Sequence, residues 1–380
     1  MQTIYLDHAA TTPLDKEILE KMLPYLTENF GNADSPHALG RKAMCAVDAA
    51  RDKIAELLNA KPSEIYFTSG GTEADNWAIY NGAYAAKANG KPHVILSAIE
   101  HHAVLAAGKK LEEEGFSVTY LPVNKGGRVE LNALKDALTE QTGLVAVMAV
   151  NNETGAIQPI KALAEIARAH GCLFFTDCVQ AAPYMALDVK DLGVDMLSVS
   201  SHKMYGPKGC GALYIRSGLK SKGLIVGGEQ ERGLRGGTTN VPCAVGFSAA
   251  YAKNTATMSA SNEKIEKLRA LFLQEISCLS GVEIHGDGER IPAVLNLRFA
   301  GVNNADFVYN MDLKGVCVAA GSACASASIK PSHVLLAMEL TEKQAKESVR
   351  ISFGKNNTEE EVRRAAALTV ETVKKLRGAQ

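Results

Sequence analysis

The chain has 380 residues, 46% of them hydrophobic and 22% charged, which is ordinary for a globular protein with a substantial core. Its 41 basic and 42 acidic side chains nearly cancel, so charge gives no reason to expect nucleic acid or an anionic membrane as a partner. The N-terminus has no basic stretch followed by an apolar core, and no apolar run reaches the roughly 18 residues of a membrane-spanning helix. Eight scattered cysteines without a CxxC pair predict neither a metal site nor disulfides, so we expect a cytoplasmic protein.

Short apolar runs alternate with helical patterns through the first part of the chain. The runs predict strands at Ile65–Phe67, Val94–Leu96, Val118–Leu121, Val145–Met148, Leu173–Phe175 and Met196–Val199. Helical patterns between them include Trp77–Ala88, Ala103–Glu114 and Ile160–His170. This alternation predicts an α/β fold, with a mainly parallel sheet covered by helices. Ligands of such sheets bind beyond the C-terminal ends of the strands, so the residues that follow the strands are the candidates for a site.

The last third of the chain has a different pattern. It is mostly helical from about Val241 to Ser280, and shorter strands and helices follow. We therefore predict a domain boundary near residues 255–262, with a smaller α+β domain after it.

A glycine-rich turn, Thr68–Glu73, follows the first predicted strand and opens a helix. Glycines such as Gly71 let the backbone approach a ligand closely, and the N–H groups of a helix N-terminus, near Thr72, can bind a phosphate. The spacing is neither that of a dinucleotide fingerprint nor that of a P-loop, and such a turn on its own is more often only a tight turn.

Two further strand ends carry polar side chains. His101 and His102 follow the strand at Val94–Leu96, and either imidazole could stack on a flat ring and exchange protons near neutral pH. A helix-capping or packed histidine is the competing interpretation for at least one of them. Asn152 lies in a polar turn after Val145–Met148 and offers an amide donor.

The strongest signal is the pairing of Asp177 with Lys203 at neighbouring strand ends. A carboxylate at the end of Leu173–Phe175 can pair with a protonated ring nitrogen, which makes a pyridine ring an electron sink. A lysine among small residues after the next strand can form an imine with an aldehyde. An isolated aspartate is more often a helix cap and an isolated lysine is usually solvated, but the two at neighbouring strand ends favour a site that forms an imine.

A cysteine-containing segment of small residues lies far along the chain. Val318–Pro331 consists largely of Gly, Ala and Ser around Cys324, so we expect a mobile segment rather than packed core. A thiol must ionise to react, and cysteines with apolar neighbours, such as Cys172 and Cys317, are more often inert. Cys324 is the predicted nucleophile.

These motifs resemble the NifS/IscS-type cysteine desulfurases, which belong to the class V aminotransferase group of pyridoxal-phosphate enzymes. The resemblance runs from Tyr5 to Glu361, and its most specific pieces are Ser201–Gly209, Gln230–Thr238 and Gly321–Ser326. It implies a type I fold with a large cofactor-binding domain at 15–257. A small domain would comprise 1–14 and 258–380 and carry a mobile catalytic loop at about 319–331.

The resemblance also implies roles for individual residues. Lys203 would hold pyridoxal 5'-phosphate through an imine, and Cys324 would receive sulfur from the substrate. Around the cofactor, Asp177 would face the ring nitrogen, His101 would stack on the ring and Gln180 would contact the ring hydroxyl. The residues implied for the phosphate are Gly71, Thr72, Ser200, His202 and, from a second subunit, Thr238. Asn152 and Arg350 would bind the substrate carboxylate.

The implied activity is the conversion of L-cysteine to L-alanine by a homodimer, with a persulfide on Cys324 passed to an acceptor protein. The acceptor could be an iron–sulfur scaffold or a thiolation protein. Three alternatives stay open at this point: an aminotransferase, a selenocysteine lyase, and a non-catalytic platform that binds partner proteins on the same fold. The Gly321–Ser326 motif argues against the aminotransferase, because that reaction has no use for a mobile thiol.

Overall fold

A computed structural model describes residues 3–286, 288–321 and 331–378. The strands are β1 (Ile4–Tyr5), β2 (Ile65–Thr68), β3 (His93–Ser97), β4 (Ser117–Leu121), β5 (Thr142–Ala146), β6 (Leu173–Asp177), β7 (Met196–Ser200), β8 (Gly211–Ile215), β9 (Val282–His285), β10 (Val294–Phe299), β11 (Val316–Cys317) and β12 (Ser348–Ser352). The predicted nucleophile, Cys324, and most of the predicted loop lie outside the described residues.

The helices alternate with these strands along most of the chain. They are α1 (Lys16–Thr27), α2 (Ala38–Leu57), α3 (Gly71–Lys87), α4 (His102–Glu113), α5 (Leu131–Ala137), α6 (Ile160–Ala169), α7 (Val189–Leu192), α8 (Val241–Glu275), α9 (Asn304–Leu313), α10 (His333–Ala337), α11 (Glu342–Lys346) and α12 (Glu359–Gly378). In the part of the chain that the structure describes, no helix combines the length and the apolar character needed to cross a membrane.

A seven-stranded sheet in the order β2-β8-β7-β6-β5-β3-β4 forms the centre of the fold. Its strands are parallel except β8, which runs opposite to both of its neighbours, β2 and β7. Alternate side chains of one strand point to opposite faces of the sheet. Val94 and Leu96 accordingly pack with α3 in one apolar cluster, whereas Ile95 packs with α2 and α6 in another. The predicted α/β class, with helices on both faces, is confirmed.

The main departures from the predicted elements have local causes. β5 ends at Ala146 instead of continuing to Met148, because the Met148 amide donates to the Glu100 carboxylate (2.7 Å) instead of to a neighbouring strand. The antiparallel strand β8 was not among the predicted strands.

A second, three-stranded antiparallel sheet has the order β12-β10-β9, and β1 pairs with β11 beside it. Its apolar cluster includes Leu6, Leu295 and Ile351 and the later part of α8. The 35-residue helix α8 contributes Phe247 to the cluster of the large sheet and Phe272 to the cluster of the small one. The boundary predicted near 255–262 falls inside this continuous helix, and the division into two domains stays a prediction.

Candidate active site

One cleft beyond the C-terminal ends of β6 and β7 brings most of the predicted site residues together. Its lining includes Gly71, Thr72, His101, Asn152, Asp177, Gln180, Ser200, His202, Lys203 and Arg350. Thr238 does not belong to this lining; it lies in a separate pocket with Thr68 and Gln230. Among the described residues, no group of three or more His, Cys, Asp or Glu side chains is placed to hold a metal ion.

Lys203 is the last residue of a 3-10 turn, Ser201–Lys203, that follows β7 directly. Its Nζ donates to the backbone carbonyls of Ala9 (2.5 Å) and Ala10 (2.9 Å). The N-terminal segment therefore closes one side of the cleft and fixes the lysine amine there. The turn is tight because Gly206 approaches Ser201, where an added Cβ would meet the Ser201 Oγ at 2.1 Å.

Asp177 ends β6, where its buried carboxylate accepts a hydrogen bond from the Val179 amide (2.8 Å). Burial raises the pKa of Asp177 to about 6, although the Val179 amide and the positive charge of Lys203 oppose this shift. A second buried carboxyl, Asp75 of α3, also lines the cleft. Burial and the neighbouring Asp177 charge raise the pKa of Asp75 well above its ordinary value.

The N-terminus of α3 forms the end of the cleft predicted to bind phosphate. Gly71 lies here because a Cβ at this position would meet Val179 Cγ2 at 2.8 Å. The buried Ser200 Oγ has no hydrogen-bond partner. His202 Nδ1 lies 3.0 Å from Thr11 Oγ1, and burial together with Lys203 lowers the pKa of His202 to about 4. The His202 ring is therefore neutral at physiological pH.

His101 fits both interpretations of the sequence, because it caps a helix and lines the cleft. Its Nδ1 accepts a hydrogen bond from the Ala103 amide (3.1 Å) at the start of α4, which places the proton of the neutral ring on Nε2. Burial, and after it the charge of Lys203, lowers the pKa of His101 to about 4. His102 is exposed and packs against His333, with ring centroids 4.7 Å apart.

Arg350 reaches the cleft from β12 of the small sheet and is almost fully buried. One of its terminal nitrogens, Nη2, donates to Asp7 Oδ1 (2.8 Å), and Nη1 donates to the Asn152 carbonyl (3.1 Å). Its Nε is buried without a hydrogen-bond partner. The guanidinium is thus oriented by protein groups but keeps N–H donors available for a ligand.

Sequence reasoning missed several residues that shape this cleft. Asp75 lies four residues after Gly71, so the helical repeat places both on one face of α3; that spacing was an available signal. Asp7 lies two residues after Tyr5, where the family resemblance begins, but its contact with Arg350 joins opposite ends of the chain. Glu100 accepts from the Ser97 hydroxyl and the Met148 amide behind the cleft, and burial raises its pKa to about 8.

The described cysteines have different surroundings. Cys172 is buried and its thiol donates to the Thr142 carbonyl (3.2 Å), as expected for an inert core residue. Cys317 is only partly buried, because it lies in the short edge pair of β1 and β11. Burial raises the pKa of both thiols, so neither is poised to ionise.

Comparison with known proteins identifies the family. The family model described as "Aminotransferase class-V" matches residues 4–365. The chain belongs to the class-V aminotransferase family. It is 46% identical over 363 residues to the cysteine desulfurase IscS of Clostridium botulinum (strain Hall), covering 94% of this chain and 91% of the relative. It is 47% identical over 380 residues to the putative cysteine desulfurase IscS 1 of Bacillus subtilis (strain 168), covering 99% of this chain and 100% of the relative.

Similar solved structures support the same family assignment. A NifS-like protein superposes with a TM-score of 0.90 at 35% identity, covering 100% of this chain and 99% of that chain. A structure described as SspA in complex with cysteine superposes with a TM-score of 0.83 at 36% identity, covering 94% of this chain and 100% of that chain. The family predicted from the motifs is confirmed.

Proposed function

We propose that this protein is a cysteine desulfurase that uses pyridoxal 5'-phosphate to convert L-cysteine to L-alanine. The sulfur passes to Cys324 as a persulfide and then to an acceptor protein that assembles iron–sulfur clusters or another sulfur-containing cofactor. The observation that carries the proposal is the placement of Lys203, Asp177 and Arg350 in one cleft. The full-length similarity to cysteine desulfurases supports the choice of substrate.

The residues of the cleft fit the cofactor. Gly71 leaves space that a Cβ would fill, and the buried Ser200 Oγ and Gln180 Oε1 have no protein partner. We assign the phosphate to Gly71, Thr72, Ser200 and His202, the ring hydroxyl to Gln180, the ring nitrogen to Asp177, the ring face to His101 and the covalent link to Lys203. When bound, pyridoxal phosphate supplies an electron sink for the carbon atom that loses a proton.

Lys203 and His101 are the residues that move protons in this proposal. With the substrate bound in the cleft, the Lys203 amine would be the group that takes the proton from the substrate Cα. The carbonyls of Ala9 and Ala10 accept hydrogen bonds from Nζ and keep the amine inside the cleft. His101 uses Nδ1 to cap α4, so its Nε2–H is the group that can donate a proton near the substrate sulfur.

Arg350 and Asn152 bind the substrate carboxylate. A guanidinium suits this task because its N–H groups form a bidentate fork with a carboxylate. Asp7 already accepts from Nη2, so the substrate either shares the guanidinium with Asp7 or displaces it.

The sulfur step requires a thiolate that reaches the substrate. The Cys324 thiolate attacks the substrate sulfur, an S–S bond forms, the Cβ–S bond breaks and Cβ receives a proton to give alanine. The motif Gly321–Ser326 supports this assignment. Cys178 and Cys210 are fully buried, and burial raises the pKa of both thiols far above the ordinary range, so neither suits the role.

A homodimer completes the proposed cofactor site, with Thr238 of a second subunit adding to the phosphate contacts. Thr238 lies apart from the cleft of its own chain, as this arrangement requires. Helix α1 presents Leu19, Leu23 and Leu26 at helical spacing, and Phe30 just beyond it is 68% exposed. An apolar strip of this kind suits burial against another copy of the chain. The same proposal places the enzyme in the cytoplasm, where thiols stay reduced.

The proposal is tested by incubating the pyridoxal-phosphate-loaded protein with L-cysteine and a reductant. We expect alanine and sulfide in equal amounts, and no alanine from the Lys203→Ala variant. Pyruvate and ammonia in place of alanine would overturn the proposal, because they indicate elimination. Alanine from selenocysteine alone would favour the selenocysteine lyase.

A further inference from the structure

The buried residue Ser198 lies beside two carboxyl groups that line the cleft, those of Asp75 and Asp177. It is the residue of β7 directly opposite Asp177 in the pairing of β6 with β7, so both side chains project from the same face of the sheet. On that face the Ser198 hydroxyl donates a hydrogen bond to Asp75 Oδ1 (2.6 Å), and the nearby Ser198 hydroxyl also lowers the pKa of Asp177. All three residues are buried. A single hydroxyl therefore bonds to one of the two carboxyl groups and stands opposite the other on the same face of the sheet.

The charge of Asp177 raises the pKa of the buried Asp75, so the two carboxyl groups do not both ionise readily and the pair retains a proton. The charges around the pair decide which member keeps it. Lys203 and the Val179 amide favour the anion on Asp177. Asp75 is more deeply buried than Asp177 and faces the Asp177 carboxyl, with only the Ser198 hydroxyl favouring its anion. These surroundings favour the proton on Asp75 and the anion on Asp177.

We propose that Asp75 and Ser198 are positioning residues that hold Asp177 as the anion opposite the cofactor ring nitrogen. With Asp75 neutral, the Ser198–Asp75 hydrogen bond reverses its direction: the Asp75 O–H donates to Ser198 Oγ, and the Ser198 hydroxyl turns to donate to the Asp177 carboxylate. Chains of this kind strengthen each hydrogen bond through polarisation. The inference rests on the proposed function, because it needs a cofactor ring nitrogen beside Asp177.

The consequence is measurable in the cofactor itself. A protonated ring nitrogen places a positive charge near the nitrogen of Lys203, and this charge disfavours a second positive charge there. Without the Ser198 hydroxyl, the Asp177 carboxylate is less well stabilised as an anion and takes up part of the proton from the ring nitrogen. The positive charge on the ring is then smaller, and the Lys203 nitrogen becomes more basic. The pH midpoint of the visible absorption of the loaded enzyme should then rise.

The first test is a pH titration of that absorption in the loaded parent and two variants. We expect Ser198→Ala to raise the midpoint by about one pH unit, a tenfold change in the proton equilibrium. Asp75→Asn should leave it near the parent value, since the amide Nδ2 replaces the acid as donor to Ser198. Ser248→Ala, which removes a buried hydroxyl of α8 bonded to the Val245 carbonyl, is the matched control and should not move it.

The outcomes separate this inference from the proposed function. If the parent shows no visible band with pyridoxal phosphate, the protein does not bind this cofactor covalently and the proposed function is wrong. A loaded parent whose midpoint is unmoved by Ser198→Ala, or moved equally by Asp75→Asn and Ser198→Ala, would overturn the inference alone.

A second measurement tests the neutral state of Asp75 without relying on the visible band. Burial raises the pKa of Asp75 in the folded state, so folding retains a proton that the unfolded chain releases, and stability falls as pH rises above about 4. Asp75→Asn removes this loss. The thermal midpoint of Asp75→Asn relative to the parent should therefore increase from pH 5 to pH 8. A difference that stays constant or decreases would contradict a neutral Asp75.

Discussion

The two sides of the cleft differ in how far the protein itself satisfies their polar groups. On the ring wall (His101, Asp177, Gln180 and Ser200), the buried Gln180 Oε1 and Ser200 Oγ have no protein partner. On the arginine wall (Asp7, Asn152 and Arg350), both terminal nitrogens of the guanidinium are already bonded, to Asp7 and to the Asn152 carbonyl, and only its Nε lacks a partner among the described residues.

This difference indicates two kinds of ligand. Unpaired buried polar groups are costly, so the ring wall suits a group that stays bound throughout catalysis. A partly paired arginine suits a ligand that arrives and leaves in each cycle, because Asp7 stabilises the guanidinium between turnovers. Under the proposed function, the ring wall would hold the resident cofactor and the arginine wall the substrate that is exchanged.

The largest expected effect concerns the base that acts between the two walls. Lys203→Ala removes the amine held by the Ala9 and Ala10 carbonyls, and we expect alanine formation to fall by at least about 1,000-fold. The cofactor should also be lost on gel filtration, since its covalent link is gone. Lys208→Ala, an exposed lysine of the following loop, is the control. Turnover within tenfold of the parent would exclude Lys203 as the base.

Arg350→Lys should have the next largest effect, because lysine lacks the fork that binds a carboxylate at two points. The loss of one charge-assisted hydrogen bond is about 2 kcal/mol, or roughly 30-fold in kcat/KM for L-cysteine. The visible spectrum of the loaded enzyme should not change, as the ring wall is intact. Arg298→Lys is the control, because Arg298 of β10 pairs with Glu283 and Glu347 outside the cleft. An equal loss in both variants would indicate a structural role.

Asp7→Asn tests whether the Asp7 carboxylate competes with the substrate carboxylate for Arg350. The variant keeps an oxygen acceptor for Arg350 but removes the competing charge. We expect KM for L-cysteine to fall by about threefold with kcat nearly unchanged. An increase in KM would show instead that the Asp7 charge orients the guanidinium for the substrate.

The smallest expected effect is on the acid sensitivity of the ring wall. Burial lowers the pKa of His101 to about 4 in the folded state, whereas the unfolded side chain titrates near about 6.5. Between these values the unfolded chain binds more protons, so this contribution to stability is lost as pH falls through that window. His101→Gln should lessen the drop in thermal midpoint from pH 7 to pH 5 by roughly 2 °C. His170→Gln, at an exposed position, should leave that drop unchanged.

The sequence allowed the fold class, the family and the enzyme class to be predicted, and the comparisons confirmed all three. Lys203 and Asp177 could be assigned to one site because both follow strands, and neighbouring parallel strands end at the same edge of a sheet. Residue roles and domain limits remain predictions. The partners of these residues were not predictable in the same way. Lys203 bonds to Ala9 and Ala10, and Arg350 bonds to Asp7. In each case the two residues lie more than 190 positions apart in the chain, so no local pattern indicates the contact.

The end of β5 illustrates a second limit. Val147 and Met148 continue the apolar run of the strand, so local pattern favours a longer strand than the structure has. The Glu100 carboxylate takes the Met148 amide, and the sequence pattern contains no signal for that tertiary contact.

Desulfuration through Cys324 is tested by following sulfur from L-cysteine in one turnover of the loaded enzyme without reductant. We predict one alanine per active site and a persulfide on Cys324, with neither product from Cys324→Ala, which should still bind the cofactor. Cys278→Ala, at an exposed cysteine, should behave as the parent does. Alanine formed at the parent rate by Cys324→Ala, or a persulfide on another cysteine, would contradict the account.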